Sequence, residues 1–295
     1  MPQTQPWTVG RLLAWTTDFL RGRGSESARL DAEVLLSEAR GCQRIDLYTA
    51  YDEVPPEPVR TAFRELVRRR GEGTPVAYLV GRREFYSLSF RVTPDVLIPR
   101  PETEFVVVAL LDMVKQDRRR GESTAAIADV GTGSGVIAIC AVKYIADCRV
   151  TATDISQAAL VVARANAAEH GMSERIEFVH GDLLATIPAD RRFDYIASNP
   201  PYVRSQEIKT LAADVAECEP RAALEAGPRG TEVIERLIPQ AAERLRAGGG
   251  LILEISSMLE ADVVRLLAAD GHFEILPTVK DLAGLSRVVS ARRLG

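Results

Sequence analysis

Three stretches near the start of the chain carry apolar residues at helical spacing: Leu12-Leu13-x-Trp15-x-x-x-Phe19-Leu20, Leu30 to Ala39, and Val59 to Val67. Gly22, Gly41 and Gly71 follow them as helix stops. From Thr8 to about Leu79 the pattern therefore predicts a small helical domain. Gly81 to Val92 changes to a period of two, with Leu88, Phe90 and Val92 between polar neighbours, and predicts a short β-hairpin. Pro99 and Pro101 then impose an extended approach, and Glu102 or Thr103 is placed to cap the helix predicted from Phe105 to Val114.

Beyond that helix the pattern alternates between strand and helix. Apolar strands are predicted at Ala125 to Val130, Val150 to Thr153, Ile176 to His180 and Phe193 to Ser198, with Val136 to Tyr144 helical. A loop from Val203 to Gly230 precedes a helix from Thr231 to Leu245, which leads through Gly248-Gly249-Gly250 to a strand from Leu251 to Glu254. A helix from Met258 to Ala268, a strand from Phe273 to Leu276 and a closing, antiparallel strand from Arg287 to Ala291 complete the plan. Strands and helices in alternation predict an α/β domain of the doubly wound kind.

In such a sheet, ligands bind outside the carboxyl ends of the strands, so the residues just after each strand are the candidates. The first strand runs into Asp129-Val130-Gly131-Thr132-Gly133-Ser134-Gly135, a turn whose glycines let backbone approach a ligand closely. Position 136 is valine, so the third glycine of the dinucleotide fingerprint is missing. The second strand ends at Asp154, a carboxylate placed to accept both hydroxyls of a ribose. The third ends at Asp182-Leu183, where a carboxylate could take an adenine amino group and leucine cover the ring. The fourth ends at Asn199-Pro200-Pro201-Tyr202, and two prolines without N–H groups cannot extend a strand.

That last segment offers an amide oxygen, a rigid carbonyl and an aromatic ring, the groups needed to hold a planar –NH2. An amide or exocyclic amine is a poor nucleophile, so it must be polarised and aimed. The Asn199 side chain and the Pro200 carbonyl can each accept one N–H while Tyr202 packs against the plane. Asn199, Pro200 and Tyr202 are thus the candidate catalytic residues.

Composition adds limits. The 295 residues suggest two domains, and 46% apolar with 26% charged residues is ordinary for a globular protein. No apolar run approaches a membrane span and the N-terminus, with Pro2, Gln3, Gln5 and Pro6, lacks a signal-peptide pattern, which sets a cytoplasmic expectation. Cys42, Cys140, Cys148 and Cys218 show no metal-ligand spacing, and Cys140 reads as a core residue. A net charge of −4 argues against affinity for a phosphate backbone. The triplets Arg68 to Arg70 and Arg118 to Arg120 fall at predicted helix C-termini, where cations complement the helix dipole. Eleven arginines balance eleven acidic residues over Met1 to Tyr78, so the helical domain reads as a protein-recognition or packing element.

Asp129 to Gly135, Asp154 and Asn199 to Tyr202 together resemble the class I methyltransferases that use S-adenosylmethionine on planar nitrogens. Gly81-Arg82-Arg83-Glu84-Phe85, Leu97 to Glu104, Glu219-Pro220-Arg221 and Lys280-Asp281-Leu282-Ala283-Gly284 narrow the resemblance to the release factor glutamine methyltransferases, the HemK or PrmC family. The resemblance covers nearly the whole chain. It departs at Ala226-Gly227, where the family usually carries a Gly-Gly pair, and at Ser256-Ser257-Met258-Leu259, where it usually shows Gly and a nearby Gln.

The resemblance implies a helical substrate-recognition domain over 1–79, a hairpin and proline-rich linker over 80–104, and a seven-stranded, Rossmann-like methyltransferase domain over 105–295. It implies S-adenosylmethionine bound by Asp129, Gly131, Thr132, Gly133, Ser134, Gly135, Asp154, Asp182, Leu183 and Asn199. It also implies Asn199 to Tyr202 holding the glutamine of the Gly-Gly-Gln motif of bacterial peptide chain release factors, whose amide nitrogen receives the methyl group in one direct in-line transfer. No metal, membrane or nucleic acid enters this reading, and nothing in it demands more than a monomer. The alternatives are an amino-methyltransferase acting on adenine N6 or guanine N2, a nicotinamide-dependent oxidoreductase, and a non-catalytic binding protein.

Overall fold

The computed structural model describes residues 6–118 and 125–295, so the readings made on residues 1–5 and on Arg119 and Arg120 fall outside it. The chain divides into two compact units: residues 1–81 with 213–218, and residues 82–212 with 219–295.

The first unit is helical, with α1 (Val9–Gly22), α2 (Ala28–Arg40), α3 (Asp46–Thr49), α4 (Glu57–Gly71) and α5 (Val76–Val80). Thr8 caps α1 by accepting the Arg11 N–H at 3.3 Å, and Gly41 closes α2 in the left-handed region at φ 63°. The apolar stripes meet in one core around Leu13, Leu35, Leu36, Leu47, Phe63 and Val67. The arginine triplet at the end of α4 is only partly solvated. Arg68 pairs with Glu65 and Glu72 on the surface, whereas Arg70 turns inward to Asp31 at 2.9 Å. Arg70 also reaches Asp214 at 3.4 Å, which ties the short helix Ala213–Cys218 to this unit.

The second unit opens with a hairpin of β1 (Arg82–Phe85) and β2 (Leu88–Arg91), followed by α6 (Glu104–Arg118). Its sheet is built from β3 (Ala125–Val130), β4 (Cys148–Asp154), β5 (Ile176–His180), β6 (Phe193–Ser198), β7 (Leu245–Glu254), β8 (Phe273–Ile275) and β9 (Ser286–Arg293). They lie in the order β8-β9-β7-β6-β3-β4-β5, with Val279–Lys280 pairing along β9. From β7 to β5 the neighbours are parallel, and β9 runs antiparallel to both β7 and β8. The helices α7 (Val136–Tyr144), α8 (Gln157–Glu169), α9 (Glu232–Arg244) and α10 (Glu260–Asp270) cover it. Alternate strand residues separate its faces: Ile127, Tyr195, Ala197 and Ile252 pack with α6 and α7, while Ala128, Ile196, Leu251 and Leu253 pack with α9 and α10. Cys140 is fully buried in the first of these clusters, and burial pushes its thiol up to about 12.

The expected connection through Gly248 to Gly250 is instead part of β7. Phe193 pairs with Leu245 but Tyr195 pairs with Gly250, so the strand bulges at the glycines. A Cβ on Gly249 would stand 2.9 Å from the Asp194 carbonyl oxygen, and one on Gly250 would stand 2.7 Å from the Met113 sulfur. Close approach of backbone and α6 is what these glycines serve. The expected loop from Val203 to Gly230 is also partly ordered, since Val203 and Arg204 pair in parallel with Glu225 and Gly227.

One buried amide joins the hairpin to the sheet domain. Asn166 of α8 accepts the Arg91 N–H at 2.7 Å and donates to the carbonyls of Arg91 at 3.0 Å and Ser134 at 2.8 Å. Its side chain is fully enclosed, so Asn166→Ala leaves a backbone donor and two acceptors without partners. The expected loss of unfolding free energy is about 3 kcal/mol, read from urea denaturation curves.

Candidate active site

The strand order fixes where the crevice lies. From β3 the chain moves outward to β4 and β5, then returns to the other side of β3 to form β6. Loops leaving β3 and β6 therefore diverge, and the space between them is the switch point of the sheet. The loop after β3 is the glycine turn and the loop after β6 begins at Asn199.

Backbone geometry explains the glycines of the turn. Gly131, Gly133 and Gly135 have φ of 71°, 55° and 87°, a region that other residues rarely adopt. The N–H groups of Gly131 and Thr132 both reach the Thr153 carbonyl at 2.9 Å, which folds the turn against the end of β4. A Cβ on Gly135 would stand 3.3 Å from the Ala163 Cβ, so α8 packs directly on the turn. Beneath it lies Asp129, fully buried. Its Oδ2 accepts the Thr132 hydroxyl at 2.6 Å and the Ala138 N–H at 3.0 Å, while its Oδ1 is buried without a protein partner. Burial pushes the Asp129 carboxyl up to about 7.

Asp154 ends β4 with one oxygen on the Gly133 N–H and the other on the Ser156 N–H, both at 2.8 Å. Each oxygen retains a lone pair for a further donor. Burial raises this carboxyl as well. Past β5, Asp182 is held by Arg236, so its carboxylate is already partnered. Leu183 adopts φ 54°, and a leucine in the left-handed region marks a backbone conformation imposed by its surroundings. The Leu184 N–H is fixed by Gln240 Oε1 at 2.9 Å.

At the fourth strand end, Ser198 pairs with Val130 on one side and Leu253 on the other, and its hydroxyl donates to the Val130 carbonyl at 2.7 Å. Asn199 thus leaves the sheet beside the glycine turn, and a Cβ on Gly131 would lie 3.9 Å from the Asn199 carbonyl oxygen. The Asn199 side chain donates through Nδ2 to Thr103 Oγ1 at 3.0 Å. Pro200 is buried, and the Tyr202 hydroxyl donates to Glu254 Oε1 at 3.3 Å. Burial raises the Tyr202 hydroxyl above its ordinary range.

Thr103 and Glu254 are the residues that sequence reasoning did not place in the site. Thr103 was legible only as a helix cap, and Glu254 as the last residue of a strand. The rule that strand ends line the crevice was the signal for Glu254, because β7 lies next to β6. Burial pushes the Glu254 carboxyl up to about 7, while the Tyr202 hydroxyl that donates to it and the neighbouring Thr103 and Arg287 favour its ionised form. Its Oε2 is buried without a protein partner.

The segment Leu97 to Glu104 is tied to distant parts of the second unit. Glu219 accepts the Ile98 N–H at 3.2 Å and pairs with Arg100 at 2.5 Å. Arg287, held by Asp281 at 2.8 Å, lies 3.8 Å from Glu102, and Glu104 accepts the Tyr86 N–H at 2.9 Å. Of the two departures noted in the sequence, Ala226 is buried in a strand, while Gly227 alone needs the freedom of glycine at φ 130°. The other, at Ser257 to Leu259, forms a short helical turn.

Residues 11–81 match the family model for the PrmC N-terminal domain, and residues 108–227 match that for the methyltransferase small domain. The chain is 50% identical over 288 residues to a release factor glutamine methyltransferase of Rhodopirellula baltica, covering 98% of this chain and 97% of that protein. It is 38% identical to one of Geobacter sulfurreducens, covering 97% of each. A methyltransferase structure from Pyrococcus furiosus covers 77% of this chain and 97% of its own at 19% identity and a TM-score of 0.52, a likeness of fold. Among the described residues, no helix is long and apolar enough to cross a membrane.

The Asp129 carboxyl has a direct thermodynamic consequence. Its folded value of about 7 lies above the ordinary 3.8, so the folded chain keeps a proton that the unfolded chain has lost between those limits. Stability held by the neutral form is full below about pH 4 and is lost as pH rises through 7. Asp129→Asn keeps an acceptor for Thr132 and Ala138 and removes the buried charge. Its melting temperature relative to the parent is expected to be several degrees more favourable at pH 8.5 than at pH 5.5, an effect on the order of a few kcal/mol. Differential scanning calorimetry at the two pH values checks it.

Proposed function

The chain belongs to the release factor glutamine methyltransferases, and we propose that it methylates the side-chain amide nitrogen of the glutamine in the Gly-Gly-Gln motif of bacterial peptide chain release factors. The observation that carries the reading is the placement of Asn199-Pro200-Pro201-Tyr202 against the glycine turn at the switch point, in a chain half identical to such an enzyme over almost its whole length.

The residues of the crevice fit S-adenosylmethionine, the methyl donor of this class. Gly131, Gly133 and Gly135 leave three positions of the turn without side chains, and Asp129 Oδ1 is a buried acceptor awaiting a donor. Asp154 retains acceptor capacity for two hydroxyls, and Leu183 offers an apolar cover. The Asp182 carboxylate joins the set through whatever capacity its pairing with Arg236 leaves. The donor supplies an electrophilic methyl group on a positively charged sulfur.

The remaining work falls to the chain. Asn199 Oδ1 and the Pro200 carbonyl each accept one N–H of the glutamine amide, which draws electron density toward nitrogen and aims its lone pair. Tyr202, its hydroxyl fixed by Glu254, presents its ring to the amide plane. No side chain needs to form a covalent bond, and the gain comes from orientation and from acceptors in place before the transition state. The helical unit, balanced in charge, serves as the recognition element for the protein substrate, and the enzyme works as a monomer in the cytoplasm, where translation ends.

Mass spectrometry of unmethylated release factor after incubation with the chain and S-adenosylmethionine is the test. One methyl group on the Gly-Gly-Gln glutamine is expected. Asn199→Ala is expected to lower transfer about 10²-fold or more while S-adenosylmethionine affinity stays within about threefold. Methyl groups on tRNA, rRNA or DNA, with release factor unmodified, would overturn the reading.

A further inference from the structure

The helical unit carries an aromatic surface that its own core leaves uncovered. Leu12, Trp15, Thr16 and Phe19 stand at i, i+3, i+4 and i+7, so they share one face of α1. Leu12 belongs to the buried core, whereas Trp15 is 51% exposed and stacks on Phe19 with ring centres 5.2 Å apart. Trp7, 38% exposed, stands edge-on to Trp15 at 6.3 Å, with the Arg11 guanidinium 4.5 Å from its ring centre. Phe63 and Val67 of α4 complete the floor, and Arg60, Arg64 and Arg68 follow one another every four residues along its edge. These faces line an open groove of about 520 Å³, and contiguous exposed aromatic surface of this kind marks an interaction site.

Two donors along the groove are unanswered. The Thr16 hydroxyl and the Arg60 Nε are enclosed, and neither has a hydrogen-bond partner among the described residues. Arg64 lies 3.9 Å from Glu57, whose carboxylate is already paired with Arg60. The groove therefore offers an apolar floor, aromatic faces and cationic donors, and what it lacks is acceptors. A second copy of the chain does not supply them, because a two-fold interface would bring the same arginine edge from both copies together. A membrane surface does not fit either, because it takes apolar groups that stand outermost, and this floor is recessed between two helices.

We propose that the groove between α1 and α4 docks an amphipathic helix of the protein substrate, its apolar face on Trp15 and Phe19 and its flanking carboxylates on Arg60 and Arg64. The proposal rests on the reading of release factor as substrate and assigns the recognition role of the helical unit to one surface. A helix laid in a groove presents apolar anchors at i, i+3 or i+4 and i+7, the spacing of the α1 face that receives them. The 15 residues of α4 run roughly 22 Å, the length of about four turns of such a helix. Tryptophan and arginine are also the side chains on which binding energy concentrates.

Docking remote from the reacting atoms contributes equally to substrate and transition state, so it is read in KM rather than kcat. In steady-state methylation of release factor, Trp15→Ala and Arg64→Glu are each expected to raise KM about tenfold or more, with kcat and calorimetric S-adenosylmethionine affinity within about threefold. Arg69 is exposed on α4 outside the groove, and Arg69→Glu is expected to leave KM within about twofold of the parent. Parental KM in both groove variants, or equal rises in Arg64→Glu and Arg69→Glu, would overturn the proposal while a methylated Gly-Gly-Gln glutamine still upheld the reading of the substrate. If Trp15→Ala does not fold, Arg64→Glu and its control decide alone. Parental KM accompanied by loss of a dimer in gel filtration, or by loss of co-sedimentation with phosphatidylserine vesicles, would give the groove to a second copy or to a membrane and overturn the proposal. A parent chain that left release factor unmethylated would overturn the substrate reading and this inference with it.

Discussion

The parallel pairing of β3 with β6 is the constraint from which the rest of the second unit follows. Ile127 to Val130 lie beside Tyr195 to Ser198, although β4 and β5 intervene in the chain. That return across the first strand makes the loops after β3 and β6 part company and leaves a crevice between them. The glycine turn cannot close the gap, because its backbone is committed to Thr153 and to the start of α7. The Asn199 loop cannot close it either, because Pro200 and Pro201 have no N–H with which to extend β6 along its neighbour. An opening bordered by an amide on one side and bare backbone on the other is the outcome.

The segment from Ile98 to Glu104 gives that opening its second wall. Its residues divide their partners among distant parts of the same unit: Ile98 and Arg100 to Glu219, Glu102 to Arg287, Thr103 to Asn199, and Glu104 to Tyr86. This explains why motifs far apart in the chain occur together. Glu219-Pro220-Arg221 supplies a carboxylate to the loop, Lys280 to Gly284 supplies Asp281 to position Arg287, and the hairpin supplies the Tyr86 N–H. None of these contacts is worth much at a solvated surface. Glu219, however, is almost wholly enclosed, and a buried carboxylate that lost Arg100 would be strongly destabilising.

How much of this was legible in the sequence depended on the range of the interaction concerned. Helical spacing in Leu12 to Leu20 and apolar runs such as Ala125 to Val130 are local, and the elements formed where the pattern placed them. The strand-end rule located the glycine turn, Asp154, Asp182 and Asn199 without coordinates because it depends on topology alone. Contacts that join remote segments carried no local signal. Arg70 read as a solvated helix end because Asp31 is 39 residues away, and Thr103 read as a cap because Asn199 is 96 residues away. The glycines of β7 misled for the same reason, since Met113 of α6 and Asp194 of β6 set their spacing.

Two carboxyls, Asp129 and Glu254, share an unusual state: each is enclosed, each is pushed up to about 7, and each keeps one oxygen without a protein partner. A fold selected for stability alone would replace them, since a buried acceptor left unpaired costs about 1–3 kcal/mol. They differ in what satisfies them. Glu254 receives the Tyr202 hydroxyl proton on Oε1, so it fixes the phenol of the tetrapeptide from the neighbouring strand end. Asp129 receives its protein donors on Oδ2 alone, which leaves Oδ1 for a donor brought by a ligand. The two sides of the crevice therefore each enclose a carboxyl for a different end, one to fix the Tyr202 hydroxyl and the other to reward binding.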